Sequence, residues 1–327
     1  MDVFVLASEF SDADALRGQV RRWERLGIAG VLIPDHLFVT NQAGQATEQP
    51  DPIVLLSAIG ALSPALKIGT IVANISLAHP ALTLRHFAQL ATLFGGDRVL
   101  AGLGAGWNTE EFGALGMAMP SHAERVERLG EAVRLARTLF SDGVATVTGS
   151  SVVTRGLPLS PRPAIPPRLL LGGGSDLFLT LAGEYADWAD LNGSSRRLKL
   201  GQRAPAVGDG IRRLTTTVAD LEESVRVLRT AARQAGRPPG TPQVSVLIDT
   251  IEFCAASEVG EREERLRQAR GVTEAAVDQC PYVFIGPAGR MREALAERQE
   301  RLGLSAVIII DRPELDRFMP EVAATLA

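Results

Sequence analysis

The chain has 327 residues, 46% of them hydrophobic and 22% charged, with a formal net charge of −4. That is a globular composition without the basic block that nucleic-acid binding needs, and no apolar run approaches the length of a membrane span. Cys254 and Cys280 give neither a disulfide framework nor a zinc spacing, no metal cluster is expected, and the first residues lack a secretory signal, so the expected location is the cytoplasm.

Short apolar runs alternate with amphipathic stretches along the whole chain. Asp2–Ala7 reads as a buried strand, and Leu16, Val20, Trp23 and Leu26 follow at helical spacing until Gly27. Gly30–His36 is a second strand, followed by a helix opened by Pro52. Leu66–Ala73 is a third strand, with its helix opening at Pro80, and Arg98–Gly106 is a fourth. Ser121 and Glu124 form a capping box ahead of Val126, Leu129, Val133, Ala136 and Phe140, which share one helix face.

Gly143–Pro167 is β-branched and then proline-rich, and reads as a hairpin and extended segment inserted between units. Arg168–Gly174 is a fifth strand with a helix to Tyr185, and Trp188–Gly193 is a sixth. Ser194–Gly210 is a polar loop, Val218–Ala235 a helix, and Gln243–Phe253 the seventh strand. Glu261–Leu302 is mostly helical with a break near "YVFIGPAG", Ala306–Ile310 is the eighth strand, and Glu314–Leu326 the last helix. Eight such units predict an α/β fold, a TIM-like (β/α)8 barrel with insertions, formed by 1–327 as a single domain. Chemistry in that architecture gathers at the carboxyl ends of the strands.

Four stretches at those ends could carry it. "GLGAGWN" places Gly102, Gly104 and Gly106 at alternate positions, so their missing side chains share a face. A dinucleotide fingerprint is G-x-G-x-x-G near the first strand, so this is not one. A strand so stripped admits a flat ring or a backbone, or else packs closely without a ligand, and Trp107 and Asn108 follow it. "PDHL" ends the second strand with Asp35 and His36, a proton-transfer candidate with a carboxylate to orient it, against the plainer reading of a structural histidine. "GTIVANISLAHP" crowds small residues at the third strand, while His79, before Pro80, is a helix cap; His86 and His122 read as structural or solvent-facing. "LLLGGGSD" joins a strand to a helix amino terminus through Gly172, Gly173, Gly174 and Ser175, a phosphate site in preference to a plain tight turn.

Taken in this order, "GVLIPDHL", "LKIGTIVANISLAHPALTLRHFAQLATLFGGDRVLAGLGAGWNTEEFGALG", "RLLLGGGSDLFLTLAGEYADWADLNG" and "RLGLSAVIII" resemble the bacterial luciferase-like flavin and deazaflavin oxidoreductases. The resemblance runs nearly end to end and is densest over 28–192. It implies FMN or coenzyme F420 across the strand ends, and a bulge with a non-proline cis peptide at Ile71–Val72 behind the cofactor ring, followed by Asn74. It further implies Asp35 and His36 beside ring and substrate, Gly106, Trp107 and Asn108 near the ribityl chain, and Gly172–Ser175 at the phosphate. Where FMN-using luciferases carry an arginine at the end of the fourth strand, this chain has Ala105. The "DH", "AHPA" and "GLGAGW" wording looks more like the deazaflavin-using branch, so the resemblance makes F420 the expected cofactor, with FMN as the alternative.

The implied activity is hydride transfer between F420 and a small organic substrate. An FMN-dependent monooxygenase using oxygen and a non-catalytic cofactor-binding barrel are the rivals. The partner is a small molecule, with neither nucleic acid nor membrane expected, and the resemblance leaves a homodimer open.

Overall fold

A computed structural model describes residues 1–8, 10–40, 45–193, 213–272 and 277–326, so the polar loop expected at 194–210 lies outside the described residues. The chain divides into two compact units. One comprises Leu6–Gly172 with Tyr185–Asp187, and the other Met1–Val5, Gly173–Glu184 and Trp188–Ala327.

In the first unit, β2 (Gly30–Ile33) pairs in parallel with β5 (Lys67–Thr70), β5 with β7 (Val99–Gly104), and β7 with β10 (Arg168–Gly173). These strands are almost wholly buried, which is why they read as continuous apolar runs rather than alternating ones. Helices α1 (Ala13–Arg25), α2 (Pro52–Leu62), α3 (Pro80–Phe94), α4 (Thr109–Ala114) and α5 (His122–Asp142) follow or connect them. Their starts are chemically specified: Asp12 and Asp51 accept two backbone N–H groups each, Pro52 and Pro80 open their helices, and His79 Nδ1 accepts from Ala81 N. Ser121 and Glu124 form the expected capping box.

The expected insertion is a hairpin, β8 (Val144–Thr148) against β9 (Val153–Pro158), antiparallel. A second hairpin, β3 (Phe38–Thr40) with β4 (Ala46–Glu48), follows His36, where no strand was expected.

In the second unit, β11 (Trp188–Leu191) pairs with β12 (Gln243–Ile248), and β12 with β15 (Ala306–Ile310), all in parallel. β1 (Asp2–Leu6) lies next to β15 in the sheet order. Phe4 meets Trp188 edge-on, with centroids 5.5 Å apart. The helices are α6 (Asp176–Tyr185), α7 (Val218–Gln234), α8 (Val259–Arg270), α9 (Ala288–Leu302) and α10 (Leu315–Glu321). The run expected as one seventh strand, Gln243–Phe253, breaks at Asp249. Its second part, β13 (Thr250–Phe253), pairs with β14 (Val283–Gly286), the interruption in the Glu261–Leu302 helical stretch.

Each unit contributes four of the eight parallel strands, and the fold class is the TIM-like (β/α)8 barrel with insertions. Among the described residues no helix is long and apolar enough to cross a membrane, and no group of histidines, cysteines and acids could hold a metal ion.

Candidate active site

The third strand expected from the sequence is interrupted where the resemblance implied. β5 stops at Thr70, the Ile71–Val72 peptide is cis, and pairing with β7 resumes in β6 (Ala73–Asn74). Gly69 lies opposite Leu100 and Ala73 opposite Leu103, so four steps along this strand match three along β7, a bulge of one residue. The alternating glycines of β7 are its complement. A Cβ at Gly102 would overlap the Thr70 carbonyl oxygen, one at Gly104 would overlap Val72 Cγ2, and one at Gly106 would overlap the Asn74 amide. Thus the face without side chains accommodates the neighbouring bulged strand, a close approach of protein to protein. Ile71 and Val72 remain half-buried.

β2 ends at Ile33, and Pro34, which has no N–H to extend the ladder, leads to Asp35 and His36. Asp35 Oδ2 accepts from Asn74 N at 2.8 Å, so it ties the end of β2 to the bulged strand. Burial raises its carboxyl above the ordinary value, and the Asn74 bond acts in the opposite direction.

Asp35 was expected to orient His36, but the structure gives that position to Glu111. His36 Nδ1 lies 3.2 and 3.3 Å from the two Glu111 oxygens, and Glu111 Oε1 also accepts from Leu37 N at 2.6 Å. The Glu111 side chain is fully buried, whereas that of His36 is 19% exposed. A carboxylate oxygen facing Nδ1 suits the tautomer that donates from Nδ1 and leaves Nε2 as acceptor, and Nε2 has no hydrogen bond among the described residues. Trp107, 50% exposed, stands edge-on to the imidazole with centroids 5.4 Å apart.

Glu111 escaped the sequence reading because two acids, Glu110 and Glu111, open α4 side by side, and both suit a helix amino terminus. Only the burial of the adjoining Phe112 marks which of them turns inward. Asn108, expected to line the cofactor, is buried with its amide already engaged. Its Oδ1 caps α4 at Glu110 N, 3.1 Å, and its Nδ2 donates to Phe38 O, 3.3 Å. Thr40 Oγ1 donates to Glu110, so the start of α4 holds the segment after His36 at several points. Asn74 is likewise buried, its Oδ1 accepting from Ser76 N at 3.1 Å.

The glycine run divides between the units. Gly172, in the first, faces Val72: a Cβ there would lie 3.1 Å from Val72 Cγ1. Gly173 and Gly174, in the second, abut Phe178 and the Gly193 carbonyl. Ser175 Oγ accepts from Phe178 N at 3.3 Å and so caps the start of α6. Close packing alone accounts for the glycines, and the helix start retains the N–H direction that attracts an anion.

A family model described as luciferase-like monooxygenase matches residues 2–308. The chain is 30% identical over 235 residues to the F420-dependent glucose-6-phosphate dehydrogenase of Intrasporangium calvum, covering 70% of this chain and 69% of that protein. It is 32% identical over 242 residues to the F420-dependent hydroxymycolic acid dehydrogenase of Mycobacterium tuberculosis, covering 71% of this chain and 64% of that one. The solved structure of an F420-dependent secondary alcohol dehydrogenase in complex with an F420-acetone adduct matches with a TM-score of 0.75 at 18% identity, covering 99% of this chain and 98% of that chain, which is a likeness of fold.

Proposed function

This chain belongs to the luciferase-like monooxygenase family, and from that premise we propose that it is an F420-dependent oxidoreductase acting at a carbinol or carbonyl carbon of a small substrate. The observation that carries the reading is His36: a buried carboxylate fixes one ring nitrogen, and the other is left without a partner among the described residues. Dehydrogenases among its relatives support the cofactor and reaction class.

The residues present fit the deazaflavin. In the first unit, half-buried Ile71 and Val72 would offer an apolar backing to a flat ring, with Gly106 and Trp107 on the same unit; in the second unit, Gly173, Gly174 and Ser175 lead into a helix start suited to phosphate. Half-buried Ala105 supplies no cation at the end of β7. When bound, F420 supplies a ring carbon that takes or returns a hydride.

The protein's part is the proton. On oxidation of a carbinol, the hydride leaves carbon and the hydroxyl proton passes to His36 Nε2; on reduction of a carbonyl, His36 returns it to oxygen. Glu111 holds the imidazole with Nδ1 protonated, which makes Nε2 the acceptor, and it stabilises the imidazolium once the proton arrives. Asp35 fixes the bulged strand beside it through Asn74 N. The flank of His36 presents Leu37 and Trp107, both exposed, which suits an apolar portion of the substrate.

The test is anaerobic turnover of F420 against a panel of alcohols and their carbonyl counterparts, run beside oxygen uptake with FMN and a reductase. F420 turnover without oxygen supports the reading. Oxygen consumption with FMN, and none of the F420 reaction, would replace it with a flavin monooxygenase.

A further inference from the structure

Three charged residues at three-residue spacing on α5, half-buried Arg125 and Arg128 and buried Glu131, are engaged by backbone groups of neighbouring segments. Arg125 Nε donates to Gly106 O at 3.0 Å, and its Nη1 donates to Pro120 O. Arg128 donates to three carbonyls: Ile75 O at 3.1 Å, Ala78 O at 3.1 Å and Ser151 O at 3.0 Å. Glu131 accepts from Ser150 N, Ser151 N and Val152 N, at 2.6, 3.0 and 2.8 Å, and so fixes the tip of the β8–β9 hairpin.

The carbonyls taken by the two arginines are not scattered. Gly106 immediately precedes Trp107, the aromatic neighbour of His36. Ile75 immediately follows Asn74, the partner of Asp35. The two segments are also joined to one another, by Ile75 N to Gly104 O at 3.2 Å and Ser76 Oγ to Ala105 O at 2.9 Å. We propose that Arg125 and Arg128 are positioning residues: from α5 they set the two strand ends on which the cofactor face and the surroundings of His36 are built, and Arg128 makes the inserted hairpin part of the same frame. The proposal rests on the F420 reading above. Guanidinium is the group the task needs, because its fixed fork of donors reaches several carbonyls at once where an ammonium reaches fewer in fixed geometry.

The same helix contains its own control. Arg137 donates from Nε to Tyr185 O at 2.9 Å and from Nη2 to Asp187 at 2.8 Å, a contact of the same chemistry that touches neither strand end. Arg125→Lys, Arg128→Lys and Arg137→Lys are therefore compared in the full chain by hydrogen exchange without cofactor and by equilibrium binding of F420.

Arg128→Lys is expected to speed exchange of the Ile75 and Ser76 amides by about tenfold or more, and Arg125→Lys that of the amides at 107 and 108, with F420 affinity falling by about tenfold in each. Arg137→Lys lowers Tm comparably and leaves these amides and the F420 affinity at wild-type values. Wild-type exchange in both variants, or equal acceleration in Arg137→Lys, overturns the proposal. Should Arg128→Lys fail to fold, Arg125→Lys decides it at 107 and 108. Wild-type protein that does not bind F420 contradicts the cofactor reading, while exchange still decides whether the arginines hold the strand ends.

Discussion

Around His36 a buried carboxylate faces Nδ1 and accepts from Leu37 N, and Nε2 has no hydrogen bond among the described residues; around Gly172, Gly173 and Gly174 the space a side chain would take is filled by the chain's own atoms. Both places attract attention in the sequence, and they differ in what a mutation there should do. A ring nitrogen with no hydrogen bond among the described residues is open to a substrate. A missing side chain already explained by Val72, Phe178 and Gly193 needs no ligand to account for it. Loss at the first place should therefore be loss of chemistry in a stable protein, and loss at the second should be loss of the fold.

The largest expected effect is at His36. His36→Ala should lower kcat by about 10²- to 10⁴-fold, the range for a removed general acid–base group, while Tm and F420 affinity stay near wild type. Steady-state kinetics beside a thermal melt checks this, and unchanged turnover would remove His36 from the mechanism. Glu111→Gln comes next. An amide keeps the shape but cannot favour a protonated Nδ1 as a carboxylate does, so kcat should fall by about 10- to 100-fold with KM little changed. Because the charge-assisted bond to Leu37 N weakens too, a stability loss of about 1–3 kcal/mol should accompany it in urea melts.

Gly174→Ala tests the other side of the contrast. Its Cβ would overlap Gly193 O, which is backbone and cannot step aside, so the expected result is about 1–3 kcal/mol of destabilisation with turnover per folded molecule retained. A stable Gly174→Ala that loses only F420 affinity would instead assign the glycine to the ligand.

A second acid sharpens the comparison with Glu111. Asp190, buried on β11, has the Ser245 hydroxyl at 2.9 Å, and burial pushes its carboxyl up to about 7. Its proton is held more tightly folded than unfolded. The stability it contributes is therefore complete below about pH 4 and is lost as pH rises towards 7, at a slope of about 1.4 kcal/mol per pH unit. Asp190→Asn should remove that component from the pH dependence of urea unfolding.

The strand-and-helix alternation, the helix start at Pro52 and the capping box at Ser121 were legible because each rests on local chemistry, and the bulge at Ile71–Val72 because the family resemblance implied it. The β3–β4 hairpin was not, since the bonds that hold its first strand against the start of α4, such as Asn108 to Phe38 and Thr40 to Glu110, come from residues remote in sequence. The division of Gln243–Phe253 into two strands was hidden for a similar reason: β13 is selected by β14, some thirty residues later. His36 itself was legible and its partner was not. A strand-end histidine is conspicuous alone, but Glu111 becomes one only when α4 folds back over residue 37. Asn108 shows the converse, a polar residue at a strand end whose amide is consumed by its own helix and a neighbouring carbonyl.

Side-by-side titration with F420 and FMN, read by tryptophan fluorescence in wild type and Trp107→Phe, tests the central claim most directly. Trp23 and Trp188 are buried, so Trp107 is the indole placed to report a ligand beside His36. F420 should quench the wild-type signal saturably and more tightly than FMN, and the quench should largely vanish in Trp107→Phe while F420 still binds by ultrafiltration. A saturable response to FMN with none to F420, or F420 quenching that persists without Trp107, would contradict the account.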